Sequence, residues 1–372
     1  VSEYQYHEFQ ALDRTLSKAD RSYLQGLSSR AELTATNARF VYNYGDFRGD
    51  PLEVLDRCFD SMLYIANFGV RRLTFRLPKE LVDPAQFEPY SMSYCITVKT
   101  SERSTIIDID LSAEDYFDWI EGEGWLASLA ELRDDLLQGD LRLLYLAWLR
   151  AGSTDNAADT PENLFEPLVP SGLKQLSPAL EAFAEMFAID RDLITAAATA
   201  SPASKPSAEP IEEWIAALPK DECDRFLVRV AKGETHVGAS LMQRLRELSA
   251  QPVSSKRKQK QRSLAELMEI ALGKHQQREQ KEQKVAEAAK RRRLEALAPK
   301  SENLWQEIYR LIEFKQAKPY DEAVAHLQEL RDLAEYQDSL ESFLSRIEQI
   351  QRQYSNRPGL LTRLRNAQLL RK

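Results

Sequence analysis

Two stretches decide the fold: RRLTFRLP (residues 71–78) and CITVKTSERSTIIDIDL (residues 95–111). In the first, Leu73, Phe75 and Leu77 alternate with Arg72, Thr74 and Arg76. That period of two predicts a strand with one apolar and one polar face. In the second, apolar residues flank the polar segment TSERST, the pattern of a hairpin. Working outward, residues 3–12 are rich in Tyr and Phe and read as a strand, as do residues 33–44. Ser17, with Asp20 three residues on, is the N-cap of a short helix over 17–27. Asp50, Pro51 and Glu53 start another, which carries Leu52, Leu55, Phe59, Met62, Leu63 and Ala66 at helical spacing and stops at Gly69. Ser112 and Asp115 cap a helix through Trp119, and two more follow over 126–137 and 141–148. Strands and helices interleave without a βαβα rhythm, and no glycine-rich phosphate loop occurs. The expectation is an α+β head over residues 1–152, an antiparallel or mixed sheet with helices on one face.

Beyond a polar loop at 153–169, a short-helix region spans 170–250. It contains a helical stretch over 171–199, the linker SPASKPSAEP (201–210) and three short amphipathic helices between 211 and 249. One of these uses Cys223, Phe226, Leu227 and Val230, and the next Val237, Leu241, Leu245 and Leu248. Residues 253–298 form a basic linker and a long charged helix; from 263 to 298 that helix would span roughly 54 Å. Its first turns are apolar (Leu264, Leu267, Ile270), but Lys274, Arg278 and Lys281 interrupt the coiled-coil seam. A solvated helix and a homodimer therefore stand as equal alternatives. Residues 299–372 read as a C-terminal helical bundle. Trp305, Ile308 and Ile312 mark its first helix, Val324, Leu327 and Leu330 its second, and Phe343, Ile347 and Ile350 its third, closed by RPGLLTRL.

Charge is segregated. Residues 1–150 carry a net −9, 151–251 a net −7, 252–300 a net +8, and the last 72 residues a net zero. A polyanion would thus be met by the basic segment and not by the whole surface. No apolar run approaches the ~20 residues of a membrane span, and the first residues lack the pattern of a secretory leader. Valine at position 1 reads as a GTG start, which points to a bacterial reading frame. Three scattered cysteines (Cys58, Cys95, Cys223) and four isolated histidines argue for a reducing cytoplasm and against a zinc site.

Asp108 and Asp110 share one strand face, with Glu114 and Asp115 just beyond. Such carboxylates could hold Mg²⁺ beside a phosphate. Opposed to that stands a structural reading, in which they neutralise Arg72 and Arg76 on the neighbouring strand. An enzyme with a site near Asp108, Asp110 and Arg76 is one alternative. His7 lies among aromatics and reads as a core-edge or surface residue; Trp119, Trp125 and Trp148 read as core. No serine or cysteine has an identifiable base, so no catalytic, metal-binding or cofactor-binding residue is assigned. The strongest binding signal is Lys256, Arg257, Lys258, Lys260 and Arg262, with Arg291, Arg292 and Arg293 further on. These could meet nucleic-acid phosphates by charge alone, although no aromatic is interleaved for base stacking.

The phrases YQYHEFQALDRTL, GDFRGDP, YIANFGVRRLTFRLP and GDLRLLYLAWLRAG resemble a bacterial family of unassigned activity with the same head, charged helix and helical tail. The tail, YDEAVAHLQELRDLAE followed by FLSRIEQIQRQY and PGLLTRL, is similar to the C-terminal helices of bacterial SWIM zinc-finger proteins. Their CxC…CxH ligands are missing, so the resemblance implies no zinc function. A shared tail under different heads implies docking or assembly. The preferred expectation is a cytoplasmic, non-enzymatic adaptor with a protein partner; a nucleic-acid-associated accessory protein is the second.

Overall fold

The computed structural model describes residues 3–112, 120–154, 161–202, 211–234, 236–249 and 261–370. Seven strands make one sheet: β1 (Gln5–Gln10), β2 (Glu32–Leu33), β3 (Asn37–Tyr42), β4 (Ser61–Ala66), β5 (Val70–Pro78), β6 (Ile96–Thr100) and β7 (Ser104–Asp110). Their order is β2-β3-β1-β4-β5-β7-β6, with every neighbouring pair antiparallel. β1 thus lies inside the sheet, between β3 and β4. The α+β class holds, and the hairpin expected over 95–111 is β6–β7.

Two helices sit between the early strands. α1 (Lys18–Leu27) opens on a capping box: the Ser17 hydroxyl accepts from the Asp20 N–H at 3.1 Å, and the Asp20 carboxylate accepts from the Ser17 N–H at 3.0 Å. α2 (Pro51–Cys58) starts where Asp50 Oδ1 accepts the Leu52 N–H at 2.8 Å. The helix expected to run on to Gly69 instead ends at Cys58, and β4 begins at Ser61. β4 pairs with β1 on one side and β5 on the other, and helices cover both of its faces, so Met62, Leu63, Ile65 and Ala66 are buried. A strand buried on both sides has no period of two to reveal it.

One face of the sheet carries Phe9, Phe40, Met62 and Ile106, covered by Leu24 of α1 and Val54 and Leu55 of α2. The other carries Tyr6, Leu63, Leu73, Phe75, Leu77, Ile107 and Ile109. It packs against α3 (Trp125–Leu129), α4 (Glu131–Leu137), α5 (Arg142–Gly152), α6 (Pro178–Met186) and α7 (Arg191–Ala198). Helices therefore cover both faces, not one, because both faces present aromatic and aliphatic rows that must leave water. The expected stretch over 171–199 is two helices, and the segment holding Glu114, Asp115 and Trp119 lies outside the described residues.

α8 (Ile211–Ala217), α9 (Lys220–Ala231) and α10 (Val237–Ser249) are the three short helices expected between 211 and 249. α11 (Leu264–Leu297) is one helix of 34 residues. The chain divides into two compact units, Val1–His275 and Gln276–Lys372. In the first unit, Leu264, Leu267 and Ala271 of α11 join the main core. The second contains the rest of α11, then α12 (Ser301–Glu313), α13 (Ala317–Tyr336), α14 (Leu340–Gln353) and α15 (Pro358–Asn366). Trp305, Ile308, Leu327, Phe343, Ile347 and Leu364 form its core. Thus the closing RPGLLTRL segment is itself a helix.

Candidate functional site

The polar row on β5 and β7 is where the sequence placed a possible Mg²⁺ site. Register sets Thr74 opposite Asp108 and Arg72 opposite Asp110. Arg72 nevertheless reaches Asp108, donating from Nε and Nη2 to its two carboxylate oxygens, each at 2.7 Å. The Thr74 hydroxyl adds a third bond at 2.9 Å. Asp108 is buried, and its charge is neutralised in place. Arg76 turns the other way, donating to the Phe59 carbonyl at 2.7 Å and to the Asp60 carboxylate. Asp110 accepts from the Ser112 N–H at 3.2 Å. Cross-strand neutralisation therefore holds for Arg72, while Asp108, Asp110 and Arg76 do not share one site. Among the described residues, no three His, Cys, Asp or Glu side chains gather around a place for a metal.

On the same face, His7 stacks on Tyr64 with ring centroids 4.0 Å apart and lies 4.9 Å from Phe47. It is buried, and neither ring nitrogen has a partner among the described residues. Burial, with the nearby Arg72 charge, pushes its pKa down to about 3. A neutral, stacked imidazole here acts as an aromatic of the core.

A second polar cluster was not visible in the sequence. Arg133 on α4 donates to both Asp13 oxygens and, from Nε, to the Arg76 carbonyl at 2.8 Å. Asp60 lies 3.6 Å from the same guanidinium and accepts from the Leu12 and Asp13 N–H groups at 2.7 and 2.9 Å. The fifth member is His236, whose Nε2 stands 2.7 Å from Asp13 Oδ2. Burial would raise the Asp13 pKa, but the bonds from His236 and Arg133 outweigh it and hold the carboxyl at about 2. The one signal available in the sequence is Arg133 itself, set between Leu132 and Leu136 on the apolar side of its helix.

Two clefts meet at His236. The larger, about 980 Å³, lies between α4 and α10 and is lined in part by Leu81, Leu137, Ile211, Val237 and Met242. The smaller, about 460 Å³, includes Leu12, Asp13, Arg133 and Asp134. Both are in the size range of small-ligand sites.

The basic residues fall into three groups. Arg262 is used internally: Nε and Nη2 donate to the Glu166 carboxylate at 2.8 and 2.7 Å, and Nη1 donates to Thr199 at 3.0 Å at the end of α7. Glu166 also accepts from the Tyr145 hydroxyl, and burial followed by the Glu166 charge pushes the Tyr145 pKa up. In the second unit Arg291 pairs with Glu295 at 2.8 Å, and Arg293 pairs with Glu329. Arg292 is exposed on α11. Lys256, Arg257, Lys258 and Lys260 lie outside the described residues.

In the second unit a groove of about 470 Å³ runs between α14 and α15. Leu344, Ile347, Leu361, Leu369 and Leu370 line it, with Glu348 and Arg352 among its polar residues. No known protein family, curated protein or solved structure matches the chain.

Proposed function

We propose that the protein is a non-enzymatic adaptor whose helical tail docks an amphipathic helix of a partner protein. The observation that carries this reading is the groove between α14 and α15. Its leucines belong to or border the tail's own core, so an incoming apolar side chain would extend that core. Glu348 and Arg352 supply both charge signs beside it, which suits a partner helix with a mixed polar edge. The tail is also a compact unit with its own core, as a docking module needs.

The test is co-purification of the full chain at native level, followed by reconstitution with the recovered protein. Leu344→Glu and Leu361→Glu, with circular dichroism unchanged, are expected to weaken the reconstituted complex at least about tenfold. A complex insensitive to both substitutions, or a chain that stays a monomer with no stoichiometric partner, would overturn the reading.

A further inference from the structure

The loop between β3 and α2, residues 43–50 (NYGDFRGD), turns one side chain inward. Tyr44, Asp46 and Arg48 are exposed, whereas the Phe47 ring lies 4.9 Å from His7, 5.0 Å from Phe40 and 5.9 Å from Phe9. Gly45 and Gly49 stand two residues to either side of Phe47, with φ of +84° and +123°. Glycine enters that left-handed region without steric cost, so both ends of the segment can swing with no Cβ to hinder them. Gln5 adds two bonds to the loop, donating from Nε2 to the Gly45 carbonyl at 3.4 Å and to Asp46 Oδ1 at 3.0 Å.

Beneath the Phe47 ring, His7 is 2% exposed, and no described residue bonds to either of its nitrogens. The titratable groups around it give a proton no welcome. Tyr64 of β4 offers its ring face, and the Tyr42 hydroxyl of β3 is itself buried without a partner. Arg72 of β5 repels a second cation, and Asp108 of β7 is spent on Arg72. Asp110 of β7 and the loop's Asp46 and Asp50 act on Arg72 or Tyr64, and none bonds to the imidazole. The helices on this face present Leu24, Val54 and Leu55. A proton on His7 would therefore bring a donor without an acceptor and a charge without a counterion. Burial, then the Arg72 charge, accordingly holds its pKa at about 3.

We propose that residues 43–50 are an acid-released lid: protonation of His7 expels the Phe47 ring, and the loop swings out about Gly45 and Gly49 while the sheet stays paired. With the lid open, water solvates the imidazolium and its pKa returns to the ordinary 6.5. The closed form is thus favoured above that pH and loses ground as pH falls. The opening constant rises up to about tenfold per pH unit, or about thirtyfold from pH 7.5 to 5. Opening uncovers Phe9, Phe40 and Tyr42, an aromatic surface kept from water at neutral pH. The lid belongs to the head, so its failure would leave the docking proposal untouched.

The test is an NMR titration of the full chain from pH 7.5 to 4.5, with ¹³C-labelled histidine and phenylalanine and circular dichroism at each step. His7→Phe and Phe47→Leu assign the two rings. The His7 and Phe47 signals are expected to change together while the circular dichroism stays constant. In His7→Phe the Phe47 signal should not move, and in Phe47→Ala the His7 midpoint should rise by about one pH unit or more. The proposal is overturned if His7 does not titrate above pH 4.5, or titrates with the Phe47 ring still in place. It is equally overturned if the ring leaves only as the circular dichroism collapses, or if Phe47→Ala does not raise the midpoint.

Discussion

Arg133 and Asp13 are 120 residues apart in the chain and joined by two parallel hydrogen bonds of 2.8 and 2.6 Å. The pair ties α4 to the loop after β1, and both its members are shared: Asp13 with His236, and Arg133 with Asp60 and the Arg76 carbonyl. Two arginines and two aspartates thus compensate one another inside the head. Breaking one partner leaves a buried charge unmatched, whereas the intact set roughly offsets its own desolvation.

Arg133→Met is therefore expected to destabilise the head by about 3–5 kcal/mol. Urea denaturation should show a lower midpoint at an unchanged slope. A loss below ~1 kcal/mol would mean that the cluster relaxes or admits water freely.

Acid should weaken the head in a defined window. The Asp13 and Asp20 pKa values are held at about 2, below the ordinary value of 3.8. For Asp13 burial opposes the shift and the bonds from His236 and Arg133 produce it; for Asp20 burial again opposes it, and Arg14 and Ser17 produce it. A folded pKa below the unfolded one gives stability that is fully present above pH ~4 and is lost as pH falls toward 2. The denaturation midpoint of Asp20→Asn should accordingly vary less than that of the wild type between pH 4 and 2.

His7 adds a second slope at higher pH. Its folded pKa of about 3 lies below the ordinary 6.5, so the unfolded chain takes up a proton that the folded head refuses. Between pH 6.5 and 3 this costs up to about 1.4 kcal/mol per pH unit. His7→Phe retains the stack on Tyr64 and should flatten the stability profile over that range. An identical profile in the variant would show that the imidazole is protonated in the fold.

Arg262 should behave as a structural residue. It is the charged partner of buried Glu166, so Arg262→Gln is expected to destabilise the first unit by about 3 kcal/mol. Arg292→Gln, at an exposed position on α11, should stay within about 0.5 kcal/mol. Thermal denaturation of the two variants side by side distinguishes them.

The strands on either side of β4 were legible in the sequence and β4 itself was not. β5 and the β6–β7 hairpin show themselves because Leu73, Phe75 and Leu77 point into the helices while Arg72, Thr74 and Arg76 point to the other face. Both faces of β4 lie under helices, so SMLYIA shows no polar alternation after Ser61, and its residues also satisfy helical spacing after Asp50 and Pro51. The bond from Arg72 to Asp108 follows from two-residue spacing on neighbouring strands. The Asp13–Arg133–His236 cluster does not, because its members come from a loop, a helix and a turn that only tertiary packing brings together. Arg262 illustrates the same limit: set in a basic run, it reads as a surface charge, yet its partner Glu166 lies 96 residues away.

The position of β1 bears on how the head is made. On the ribosome, β1 emerges before either of its neighbours, and its second edge stays open until Ala66 of β4 has been synthesised. Pairing of that edge must therefore wait for distant chain. During that interval the aromatic segment 4–9 is a natural client for a chaperone and a seed for aggregation if none is at hand.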